Sequence, residues 1–165
     1  MKYHLRPWSI DDLPALVRYA NNPKIAQNLT GHFPHPYTAE AGKNFIHMAS
    51  APTPTRIFAI EINGEASGGV GVHPQQDIHL KTAEMGYWLA EPFWGKGIMT
   101  EVVKEMIDYA FETFDIVRLY ARPFSSNVGS QKVLEKAGFT HEATLKSSIF
   151  KNGQILDELI YAIVK

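Results

Sequence analysis

The stretch EPFWGKGIMTEVV, Glu91 to Val103, sets two glycines around a lysine where a strand-like run gives way to a long helix. The first N–H groups of a helix lack intrahelical partners and carry about half a positive charge, which makes a helix entrance an anion site. Gly95 and Gly97 have no Cβ, so their amides can come close to a bulky anion such as a phosphate. Two familiar phosphate loops do not fit. A Walker-type loop needs Ser or Thr after its lysine and a glycine five residues upstream of the Gly-Lys pair, but Lys96 is followed by Gly97 and Ala90 holds the upstream position. The dinucleotide fingerprint needs glycine where Thr100 stands, and the first strand of a Rossmann unit before it.

The elements around this loop follow from spacing. From Met99 the apolar residues Val102, Val103, Met106, Ala110, Phe111 and Phe114 recur at helical intervals, opposite Glu101, Lys104, Glu105, Asp108 and Glu112. KYHLRPW reads as a first strand, SIDDLPALVRYAN as a helix capped by Ser9, and AEAGKNFIHMA as a second helix. RIFAIEI and ASGGVGVH flank Asn63-Gly64, a hairpin signal. AEMGYWLA and IVRLYAR are further strands, NVGSQKVLEKA a helix with Gly138 at its C-terminal cap, and THEATLKSSIF and LDELIYAIV a closing pair joined by Asn152-Gly153. Gly68, Gly69 and Gly71 lie in a hairpin strand with no helix after it, so they serve twist or close packing. Gly86 fits either a bulge or a close approach. The alternation of strands and helices, with hairpins early and late, gives an α/β mixed sheet with helices on both sides.

Bulk properties narrow the function. At 165 residues, 45% apolar and 20% charged, the chain supports one folded domain over 1–165. Sixteen basic and seventeen acidic residues leave a net charge of −1, so no global field points to nucleic acid or anionic lipid. There is no cysteine, hence no disulfide, thiolate nucleophile or cysteine zinc site. His32 and His35 form an H-x-x-H pair in a proline-interrupted loop without a nearby acidic ligand, so no metal is expected. No run approaches the roughly 20 apolar residues of a membrane span, and MKYHLRPW has no secretory character. The expected location is the cytoplasm.

Four segments in order, FPHPYTAEAGKNFI, AEMGYWLAEPFWGKGIMTEVV, RLYARPFSSNVGSQKVLEKAGF and DELIYAIV, resemble the GNAT superfamily of acyl-CoA-dependent N-acetyltransferases, in the subgroup of the Rim-type ribosomal-protein enzymes. The resemblance implies a GNAT fold, with a mixed, mostly antiparallel sheet of about seven strands. It also implies acetyl-CoA as cosubstrate and transfer to a primary amine, either a protein N-terminus or a small molecule, directly in a ternary complex. A catalytically silent acyl-CoA-binding module is the alternative, and a homodimer is one assembly the resemblance allows.

The superfamily loop, Gln/Arg-x-x-Gly-x-Gly/Ala, maps onto Trp94, Gly95, Lys96, Gly97, Ile98 and Met99, and these residues with Thr100 would hold the pyrophosphate. Met99 replaces a small residue and is expected to crowd it. The pantetheine arm would pair with the backbone of Trp88, Leu89 and Ala90 and with Asn127. Lys132, like Lys96, is a candidate phosphate contact, against the alternative of a solvated lysine. Glu84 is the candidate base, with Asp157 and Glu158 secondary. Leu134 stands where many members carry an acidic tyrosine, which shifts the acid role to Ser130 of the Asn-x-x-Ser pattern, or to water. Asn127 equally suits a helix cap. Phe33 and Tyr37 would border the acceptor, or simply pack locally.

Overall fold

The computed structural model describes all 165 residues, Met1–Lys165. Seven strands hydrogen-bond in the order β1-β2-β3-β4-β5-β7-β6: β1 is His4–Pro7, β2 Ile57–Ile62, β3 Glu65–Pro74, β4 Thr82–Leu89, β5 Arg118–Ala121, β6 Thr140–Lys151 and β7 Gln154–Val164. Five helices accompany them: α1 Leu13–Ala20, α2 Pro23–Ala26, α3 Ala39–Ser50, α4 Ile98–Thr113 and α5 Val128–Ala137. β4 and β5 run parallel, whereas β1–β2, β2–β3, β5–β7 and β6–β7 are antiparallel, as the expected mixed sheet requires. No helix is long and apolar enough to cross a membrane.

Contacts group the residues into two units, Met1–Gly71 with Tyr87–Ile98, and Val72–Gly86 with Met99–Lys165. In the first, β2 turns into β3 at Asn63 and Gly64, whose φ values of 52° and 82° are those of a tight type I′ hairpin. Its core gathers Trp8, Leu16, Ile25, Tyr37, Ile46, Ala59 and Trp88. Ser9 does cap a helical segment, but that segment is a single 3₁₀ turn, Ile10–Asp12. The Asp12 carboxylate accepts from the Ser9 N–H and from the Arg6 guanidinium, and α1 starts only afterwards. No periodicity announces α2, which at four residues is too short to show one. It is started by Asn22, whose side chain accepts from the Lys24 N–H, and by Pro23 in the first turn.

In the second unit, Val102, Val103, Met106 and Ala110 of α4 are buried, as the helical spacing predicts. Leu119, Leu134 and Tyr161 are buried as well. Gly138 ends α5 in the left-handed region with φ 106°. The β6–β7 hairpin turns at Asn152 and Gly153, both with positive φ.

Candidate functional site

β4 leads through a 3₁₀ turn, Glu91–Phe93, into the glycine loop and then α4. Gly95 and Gly97 sit at φ 71° and 77°, where a side chain costs about 1 kcal/mol or more. A Cβ at either would meet no atom of the chain within 4 Å. The two glycines thus set the path of the loop and leave open space beside it. α4 follows at once, so the N–H groups of Ile98 to Glu101 are those without helical partners.

Met99 is 8% exposed, buried like Val102, Val103 and Met106 of the same helix. Its place in the row 99, 102, 103, 106 on one helix face already carried that signal. The loop is anchored by its first residue, because Trp94 Nε1 donates to the Leu89 carbonyl at 2.7 Å. Lys96 lies exposed, its ammonium 5.8 Å from the centre of the Phe93 ring. Glu91, at the start of the preceding turn, is gripped by Asn22 Nδ2 and Lys24 Nζ, each at 2.9 Å. Those hydrogen bonds, Asn22 before Lys24, hold the Glu91 carboxyl below its ordinary range.

Strand alternation sorts the backbone of β4. The Ala90 N–H donates to Ser67 O at 2.8 Å, and the Trp88 carbonyl lies so near Gly68 that a Cβ there would be 2.6 Å from it. A Cβ on Gly69 would come within 2.8 Å of Trp88 Nε1, so both glycines serve the close packing expected of them. Trp88 and Ala90 therefore direct their backbone groups toward β3. On the opposite side of β4, the Lys81 carbonyl takes the Val117 N–H that leads into β5. With period two, Tyr87 and Leu89 share the side of Lys81. Of Trp88, Leu89 and Ala90, Leu89 is therefore the one whose backbone faces away from β3, and its carbonyl accepts from Trp94 Nε1.

The β4–β5 ladder is short. Thr82, Ala83 and Glu84 face Arg118, Leu119 and Tyr120, and the pairing ends there, although β4 continues to Leu89. Glu84 stands at this last pair, half-buried, and accepts from Arg122 Nε at 3.1 Å. Arg122 Nε is also 3.9 Å from Glu158 Oε2. Burial, followed by the Glu84 charge, raises the Tyr120 phenol above its ordinary range. Asp157 is committed elsewhere: it accepts from the Ser147 N–H at 2.9 Å and from Lys146 at 3.4 Å. The Ser147 bond leads the causes that lower its carboxyl.

The Asn127 side chain accepts from the Ser130 N–H at 3.2 Å, which makes it the N-cap of α5. Ser130 is half-buried in the first turn of that helix, and Lys132 is exposed. Leu134, at the position of the family's tyrosine, is 0% exposed. Gly86 is exposed, and a Cβ there would have open space. In the other unit Phe33 packs against Tyr37 and Trp88, with ring centroids 5.1 and 5.6 Å apart. Tyr37 is buried and its phenol is pushed up to about 12 by desolvation, so of this pair only Phe33 keeps a partly exposed ring. His32 and His35 lie exposed in the loop before α3.

Comparisons with known proteins converge on one family. A sequence model of the acetyltransferase (GNAT) domain matches residues 2–140. The Bacillus subtilis protein YdaF, named provisionally as a ribosomal N-acetyltransferase, is 33% identical over 103 residues, 62% of this chain and 56% of that one. Spermidine N(1)-acetyltransferase of Escherichia coli K12 is 28% identical over 155 residues, 91% of this chain and 79% of that one. The structure of Mycobacterium smegmatis RimJ in complex with CoA-disulfide superposes with a TM-score of 0.84 at 26% identity, covering 98% of this chain and 81% of that one. The chain spans about half the length of YdaF and of two further Bacillus subtilis relatives it matches. With the domain match running through most of its residues, the chain belongs to the GNAT acetyltransferase family.

Proposed function

We propose that this chain is an acetyl-CoA-dependent N-acetyltransferase acting on a primary amine, with residues 1–165 as one catalytic domain. The observation that carries the reading is the pair of left-handed glycines, open on their Cβ sides, that deliver the chain into the N-terminus of α4. That entrance suits a diphosphate, because unpaired N–H groups and the helix dipole both favour negative charge. The loop from Trp94 to Thr100 would hold the pyrophosphate through its backbone, with Lys96 adding an exposed cation, while Leu89, whose carbonyl is engaged by Trp94, would meet the pantetheine arm through its N–H. Asn127 contributes chiefly as a cap, and Lys132 would contact phosphate.

Bound acetyl-CoA supplies the activated acetyl thioester. The amine nitrogen bonds to the thioester carbon, the C–S bond breaks, the nitrogen loses a proton and the departing thiolate gains one. No cysteine exists to form an acyl-cysteine intermediate, in keeping with direct transfer in a ternary complex. Glu84 takes up the amine proton, directly or through water. Leu134 has no proton to give, so Ser130 or water supplies the one required by the thiolate. Deprotonation at neutral pH costs roughly 4.6 kcal/mol for a lysine-like amine and about 1.4 kcal/mol for an α-amine. Phe33 is the aromatic surface we assign to the acceptor. Dependence on acetyl-CoA, a metabolite of the cytoplasm, supports a cytoplasmic location.

Calorimetry with acetyl-CoA and with ATP tests the loop, and an acetylation assay over amine classes tests turnover. Binding of acetyl-CoA without binding of ATP, together with turnover, supports the reading; failure to bind acetyl-CoA sinks it. The buried Leu134 gives a second reading some weight: a fold that holds acyl-CoA but does not catalyse would bind without turnover.

A further inference from the structure

Where the β4–β5 ladder ends at Glu84 and Tyr120, three charged side chains meet. Arg122, just past β5, donates through Nε to Glu84 at 3.1 Å and lies 3.9 Å from the Glu158 carboxylate. β7 brings Glu158 there, opposite Phe124 across an antiparallel bridge. The carboxylates are the more sheltered partners, with side chains 28% and 16% exposed against 45% for Arg122. Neighbouring charges have other partners: Arg118 makes a two-point contact to Glu142 at 2.6 and 2.7 Å, and Asp157 holds Ser147 and Lys146. Two carboxylates and one guanidinium leave this cluster with one net negative charge.

We propose that Arg122 is a specificity-determining residue that restricts the acceptor to an amine with a single positive charge, such as the α-amine of a peptide or protein N-terminus, and disfavours polyamines. This rests on the reading of Glu84 as the acceptor-side carboxylate. One ammonium balances the cluster. A polyamine carries further ammonium groups, and in this cluster the guanidinium already sits between the two carboxylates, so a second ammonium drawn to them meets repulsion in place of a free partner.

The test compares kcat/KM for a lysine-free peptide with a free α-amine and for spermidine, in wild type and in Arg122→Gln, Arg122→Lys and Glu84→Gln. Acetyl-CoA affinity is measured alongside as a control for folding. We expect wild type to prefer the peptide. Arg122→Gln should move the spermidine-to-peptide ratio toward spermidine by about tenfold, through KM and with acetyl-CoA affinity unchanged. Arg122→Lys, which keeps the charge, should retain the wild-type preference. A wild-type preference for spermidine, or an unchanged ratio in Arg122→Gln, overturns the inference. Glu84→Gln separates the two levels. If it slows both acceptors while Arg122→Gln leaves the ratio alone, the inference falls and the acceptor-side role of Glu84 stands. If it slows neither, Glu84 has no such role and the inference falls with it.

Discussion

At the glycine loop the groups we propose to work are backbone N–H groups beside residues without side chains, whereas at Glu84 they are three side chains drawn from β4, β7 and the segment after β5. The loop is local: a turn, two left-handed residues and a helix start within about ten positions. The charged cluster depends on strand pairing that brings Arg122 to Glu84 across 38 positions of sequence. The first tolerates change in side chains but not in backbone path, and the second has the reverse sensitivity. If the two regions divide the work as proposed, one set of variants should lose the cofactor and the other should lose turnover.

The largest separation is expected from Gly97→Trp. The bulky side chain must occupy the open space at φ 77°, which any residue with a Cβ resists, so acetyl-CoA binding by calorimetry should vanish. A Cβ at this position would meet no atom of the chain within 4 Å, but the positive φ strains any side chain by about 1 kcal/mol or more. The circular dichroism spectrum is therefore recorded alongside, and loss of binding counts only where that spectrum is unchanged. Retained binding would mean that the loop is not the cofactor's contact. Glu84→Gln is the mirror image: removing a general base lowers kcat by about a hundredfold, while acetyl-CoA affinity holds. A loss of affinity in this variant would show that the two regions do not divide the work.

How much of each region is legible in the sequence follows from the same contrast. The loop can be read because each part is a local signal: glycines, a helix stripe, and the Asn-Gly and Gly138 turns that frame the neighbouring strands. Errors arise where a local signal needs a partner to interpret it. Ser9 is a genuine cap, but for a 3₁₀ turn, because Asp12 is held by Arg6 from β1 before α1 can begin. Trp88, Leu89 and Ala90 are equivalent in sequence until β3 takes the backbone of the first and last. Arg122 carries no local signal at all, since nothing within a few residues of it hints at Glu84 or Glu158. Glu84 stands out as a carboxylate between Ala83 and Met85 in an otherwise apolar strand, and its ion pair is visible only in three dimensions.

Smaller effects sharpen the division. Asn127→Ala removes the side chain that caps the Ser130 N–H of α5. A lost cap costs about 1 kcal/mol, which for a chain of this size lowers Tm by about 2–4 °C in a thermal melt. If Asn127 serves only the helix, acetyl-CoA affinity measured well below that melt should not change. A clear loss of affinity would instead give its carboxamide a role at the pantetheine arm.

The smallest change is expected for Trp94→Phe, and it asks how the loop is fixed to the strand before it. The indole of Trp94 is 43% exposed, so packing alone does not hold it; its Nε1–H reaches the Leu89 carbonyl at 2.7 Å. Phenylalanine keeps a ring and removes that donor. A neutral hydrogen bond contributes about 1 kcal/mol net, equivalent to roughly fivefold in an equilibrium constant. Acetyl-CoA affinity should therefore weaken by about threefold to fivefold, with kcat at saturation unchanged, because Glu84 and Arg122 do not touch this bond. Trp94→Gln restores a side-chain N–H donor at the position where the superfamily often carries one, and should recover part of the loss. Equal affinity in Trp94→Phe and wild type would mean that the two positive-φ glycines fix the loop unaided, and that the bond to Leu89 only accompanies their geometry.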